Sequence, residues 1–71
     1  MNKKTVAKII LPYVESLPIN PSVNAEDKII NAIELMVKNN LRCVAVVRNH
    51  KPIGMIRLDD AFSALGLKMY S

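Results

Sequence analysis

Apolar residues recur at Val6, Ile9, Ile10, Tyr13 and Leu17, again at Ile29, Ile33, Met36 and Val37, and then as the unbroken run Cys43-Val44-Ala45-Val46-Val47. The first two sets have the three- and four-residue spacing of a helix face. The third is apolar at every position, as in a central strand covered on both sides. An amphipathic helix is therefore predicted between Lys3 and Leu17, although Pro12 must end it near Leu11 or restart it, because proline removes a donor and clashes with the preceding turn. Pro18 and Pro21 force an extended link, and Ser22-Val23 is a short first strand.

Asn24 and Asp27 are both competent helix caps, and Glu26 and Asp27 place negative charge where a helix start favours it. The helix they open buries Ile29, Ile33, Met36 and Val37, with Ile30 and Ala32 widening the stripe and Glu34 and Lys38 forming an exposed pair. Asn39-Asn40 tolerates the left-handed backbone that ends it. Arg42 to Arg48 is then a strand, Asn49-His50-Lys51 a polar turn of hairpin length, and Pro52-Ile53-Gly54-Met55-Ile56 the returning strand, with Pro52 at its first position. Asp59 caps a last helix through Ala61, Phe62 and Leu65, and Gly66 lies just past its end.

The order strand, helix, strand, strand, helix predicts an α+β fold: one β-α-β-β-α unit with a three-stranded sheet, two helices on it and an extra N-terminal helix. Residues 1–18 are assigned to the N-terminal helix and linker, 19–67 to the domain, and 68–71 to a C-terminal tail. At 71 residues, such a domain hides only about 60% of the surface its unfolded chain exposes. Yet 51% of its residues are hydrophobic and its mean hydropathy is +0.18. That excess of apolar material, including Leu67, Met69 and Tyr70 in the tail, predicts self-association.

Charge and reactive side chains narrow the function classes. The net charge of +4 comes from basic residues that cluster only at Lys3, Lys4 and Lys8, and aromatic stacking residues are scarce. Nucleic-acid binding through that N-terminal cluster is thus a minor alternative to an ordinary solvated face. Cys43 and His50 are the single cysteine and histidine, so neither an intrachain disulfide nor a Cys/His metal site is expected. Cys43 reads as a buried small hydrophobe and His50 as a turn residue, and no nucleophile, base and orienting group come at useful spacing. The chain is read as a non-enzymatic, cytoplasmic, soluble binding protein, with no apolar run of membrane-spanning length and no signal peptide.

From about Pro21 to Leu65 the sequence resembles a CBS domain. The resemblance rests on Ala32 and Met36, Asn40-Leu41-Arg42, Val46-Val47, Lys51-Pro52-Ile53-Gly54-Met55-Ile56, and Asp60 six residues after Gly54. It implies that two such units pack sheet to sheet as a Bateman module whose clefts receive AMP, ADP, ATP or S-adenosylmethionine. With one unit in this chain, a homodimer would supply the second half, acting as a regulatory ligand sensor on some partner protein with no required cofactor.

In many nucleotide-binding members the glycine strand leads to a Thr or Ser that touches phosphate, and then to an Asp that holds ribose. Here the run is Gly54-Met55-Ile56-Arg57-Leu58-Asp59-Asp60. The resemblance assigns ribose to Asp60 and adenine to the neighbourhood of Val23, Cys43 and Val44. Arg57 stands where the hydroxyl would be. Its guanidinium is either a stronger phosphate anchor or a plug that leaves a ligand-free adaptor. Core packing is the competing role for Val23, Cys43 and Val44, and helix capping for Asp60.

Overall fold

The computed structural model of the protein describes residues 4–66. Its elements are a 3-10 turn at Val6–Ile9, β1 (Ser22–Asn24), α1 (Ile29–Lys38), β2 (Cys43–Arg48), β3 (Lys51–Arg57) and α2 (Leu58–Ala64). The strand order is β1-β2-β3, so β2 is central as its apolar run predicted. Strand β1 runs parallel to β2, pairing Val23 with Val46, and β3 runs antiparallel, pairing Val44 with Ile56 and Ala45 with Met55. This is the expected three-stranded α+β unit.

Alternation along the strands sends Val23, Val44, Val46 and Ile56 to one face. There they join Ile29, Ala32, Ile33 and Met36 of α1 and Ala61 of α2 in a single core. Both helices therefore cover the same side of the sheet. The buried arc of α1 has i, i+3, i+4, i+7 spacing, which leaves Val37 about 80° and Ile30 about 100° round from Ile29. Contrary to the predicted stripe, Val37 is 59% and Ile30 45% exposed.

Asn24 and Asp27 do not cap α1, which begins at Ile29 after Lys28. They close the turn before it: the Asp27 amide donates to the Asn24 carbonyl at 3.0 Å, and the Asn24 amide donates to Asp27 Oδ2 at 2.9 Å. The helix ends as expected, with Asn40 at φ 58°. The Leu41 amide donates to the Met36 carbonyl at 2.7 Å and that of Asn40 to the Val37 carbonyl at 3.2 Å, a full Schellman closure. Glu34 and Lys38 do not meet; among the described residues the ion pair is between Arg48 and Glu26, at 3.3 Å.

The hairpin turn is one residue shorter than predicted. Asn49 and His50 both have positive φ, 52° and 65°, the condition for a two-residue type I′ turn. Lys51 therefore pairs with Arg48, and Pro52 is the second residue of β3. A register shift follows at once, Val46 facing Gly54 and Val47 facing Pro52, which leaves Ile53 as the extra residue of a bulge. Helix α2 starts at Leu58, so Asp59 and Asp60 occupy its first turn instead of the cap, and Gly66 follows its end at φ 76°.

The largest departure concerns the N-terminus. The helix predicted from Lys3 to Leu17 is present only as the 3-10 turn, because the chain's donors find partners far away in sequence. The Val6 and Ala7 amides donate to the Asp27 and Ala25 carbonyls, and the Ile29 amide to the Lys4 carbonyl. Leu11 and Met55 exchange both backbone hydrogen bonds, at 2.8 and 2.9 Å. Residues 4–11 thus form a strap from the start of α1 to the free edge of β3, with Val6 fully buried. The predicted apolar tail, Leu67 to Ser71, lies outside the described residues.

Candidate functional site

The end of the sheet nearest α2 is organised by one backbone bond, from the Leu58 amide to the Arg42 carbonyl at 2.7 Å, which ties the start of α2 to the start of β2. Arg57, the last residue of β3, therefore stands opposite Cys43, the first residue of β2. Paired residues point to the same face of a sheet, here the face without helices. Arg57 is exposed, and Cys43 is a half-buried free thiol.

Cys43 and Val44 line a small slot with Leu17, Pro18, Pro21 and Leu41, with a volume of about 30 Å³. That is close to the share of one water molecule in the liquid. The walls are apolar, and the nearby Arg57 offers five donors of permanent positive charge. Val23 is 6% exposed and sits in the helix-side core.

Asp60 is elsewhere. Half-buried on α2, it lines an open groove of about 480 Å³ with Lys8, Ile9, Ile10 and Leu11 of the strap and Ser63 and Ala64 of α2. The five residues singled out from sequence therefore divide: Cys43, Val44 and Arg57 share one end of the sheet, Asp60 faces the strap, and Val23 is packed inside. The strap residues and the proline wall of the slot escaped sequence reasoning. A signal for the strap existed in Gly54, since a glycine inside a strand often marks close approach by other backbone.

The rest of the helix-free face is built from Ser22, Asn24, Ala45, Val47, Ile53 and Met55. Ala45 is fully buried there, Val47 and Met55 are half-buried, and Ile53 is 42% exposed. Among the described residues no three His, Cys, Asp or Glu side chains gather as a metal site, and no helix is long and apolar enough to cross a membrane. His50 lies in the exposed hairpin turn.

Comparison with solved structures finds similarity to a CBS domain-containing protein of unknown function from Kribbella flavida DSM 17836. The TM-score is 0.60 at 26% identity, over 70% of this chain and 37% of that one. This chain thus spans little more than a third of its neighbour's length. No curated protein matches. The family model that matches is the CBS domain, over residues 14–67, and with more than half of the sequence covered and the β-α-β-β-α architecture in place, the chain belongs to the CBS domain family.

Proposed function

We propose that two copies of this chain pack through their helix-free sheet faces and bind an adenosine-containing ligand, AMP, ADP, ATP or S-adenosylmethionine, between them as a regulatory sensor. CBS domains in general are regulatory, ligand-binding modules. The observation that carries the reading is the helix-free face. Both helices lie on the other side, while the half-buried Val47 and Met55 and the exposed Ile53 leave this side an apolar patch of the kind that an isologous two-fold contact buries. The match covers 37% of the neighbour's chain, which leaves that chain length enough for a second unit of this size.

The separation of the two cavities supports a shared site. Adenine and ribose are joined directly, yet the slot at Cys43 and the groove at Asp60 are lined by different residues. A ligand that used both would therefore have to draw its base and ribose contacts from different copies. Titrating each of the four ligands into the protein and following thermal unfolding tests this. At 100 times its dissociation constant a ligand adds about 2.7 kcal/mol, or roughly 10–20 °C for a domain of this size. No shift with any of them refutes the sensor reading.

A second reading, a dimeric adaptor with a silent cleft, is favoured by one observation: a slot of about 30 Å³ is too small for a base without rearrangement. Arg57→Thr separates the two. Affinity gained by the variant identifies Arg57 as a plug, and affinity lost identifies it as a phosphate contact.

A further inference from the structure

We infer that Lys8, carried by the strap, is a phosphate-side contact in the groove that holds Asp60, additional to Arg57, so that the strap confers a preference for phosphorylated adenosine ligands over adenosine. The inference rests on the proposed adenosine-ligand reading and assigns a role to residues 4–11, which lie ahead of the stretch that the CBS family model matches.

The groove has the composition such a role requires. Its volume of about 480 Å³ falls within the roughly 300–1,000 Å³ of small-molecule sites. Ile9, Ile10 and Leu11 supply an apolar wall, and the polar groups are few: the Lys8 ammonium on the strap, and the Asp60 carboxylate and Ser63 hydroxyl on α2. Among the described residues neither Lys8 nor Asp60 is spent in an ion pair, since the pair formed is Arg48 with Glu26 at the other end of β2. A carboxylate suits ribose hydroxyls and repels phosphate. The Lys8 ammonium, on the strap that forms the other wall, is the complementary group for phosphate.

The wall that carries Lys8 is held in place. The Lys8 amide donates to the Thr5 carbonyl at 3.1 Å, and Leu11, three residues on, is bonded twice to Met55. Lys4 adds a bond from Nζ to the Ala64 carbonyl at 2.8 Å, so strap and α2 are tied together. A cation on a fixed wall gives a directed contact at less entropic cost than one on a free tail. Lys8 itself is exposed, so its replacement leaves the core intact.

The test is calorimetric titration of the full chain with AMP and with adenosine. Lys8→Ala is expected to weaken AMP about tenfold while leaving adenosine within twofold, and Lys8→Arg to retain most of the AMP affinity. Lys51→Ala removes the same charge at the hairpin end of β3 and is expected to leave the AMP-to-adenosine ratio unchanged. Equal loss for both ligands in Lys8→Ala, no loss for either, or the same loss in Lys51→Ala overturns the assignment while adenosine-ligand binding stands. If the unmodified chain binds neither compound, the assignment and the reading beneath it fall together.

Discussion

Gly54 offers the sharpest quantitative test of how the strap is built into the fold. A Cβ added there would lie 2.5 Å from Ile10 Cγ1, 2.5 Å from the Leu11 carbonyl oxygen and 2.7 Å from Ile10 Cδ1. The isoleucine can rotate, but the carbonyl cannot yield freely, because it accepts the Met55 amide at 2.9 Å while the Leu11 amide donates back at 2.8 Å. Reaching ordinary contact means moving that oxygen by about 0.9 Å from where it now stands, set against the 3.4 Å at which such contact begins. Both bonds of the bridge are then lost or badly stretched.

Overpacking of this kind costs about 1–3 kcal/mol, and each backbone bond about 1 kcal/mol. Against this, Gly→Ala recovers up to about 1 kcal/mol through the unfolded chain. The expected net loss in Gly54→Ala is about 3 kcal/mol. A domain of this length has roughly 4–11 kcal/mol in all, so melting should fall by about 10–20 °C. Circular dichroism reads the melt, and amide exchange locates the damage: Leu11 and Met55 should lose protection beyond what global destabilisation explains, while Val44 and Ile56 follow the global change. A variant that melts within about 2 °C of the parent, with both amides still protected, refutes the reasoning.

Two further perturbations probe other links. Asn40 closes α1 in the left-handed region, so Asn40→Gly should raise stability by up to about 1 kcal/mol and Asn40→Val lower it by about 1–2 kcal/mol in urea denaturation. Val47 lies on the proposed interface, so Val47→Lys should give monomers by light scattering at concentrations where the parent is dimeric, with its secondary structure retained. A parent that is itself a folded monomer at those concentrations removes the basis for the shared cleft.

The elements legible in the sequence were those whose signals are local. The i, i+3, i+4, i+7 arc at Ile29, Ala32, Ile33 and Met36 is a property of one helix, and the run from Cys43 to Val47 is apolar at every step whatever surrounds it. Asn40 and Gly66 announced their left-handed backbone by residue type. What failed was non-local. Val6, Ile9 and Ile10 have helical spacing, but a helix of that segment would break the bonds to Ala25, Asp27 and Met55, and Pro12 already limits its length. Nothing in the segment itself records the free edge of β3. The same blindness divided the candidate site: Asp60 was grouped with Cys43 by motif order, whereas the strap, invisible to that order, gives it a groove of its own.

That division has a thermodynamic consequence for the proposed reading. If base and ribose contacts come from different copies, one chain alone offers a ligand only half of its partners, and binding and association become one linked equilibrium. A ligand that binds the dimer and not the monomer must tighten dimerisation by the same factor by which dimerisation tightens the ligand. Apparent ligand affinity should then rise with protein concentration until the dimer is saturated, and melting temperature should depend on both concentrations together. A site complete within one chain has neither property: its affinity is flat across a dilution series that passes through the dimer dissociation constant. In the proposed dimer Arg57, on the helix-free face opposite Cys43, would stand on the face that the two copies share, and an anionic ligand bound there would couple phosphate binding to assembly.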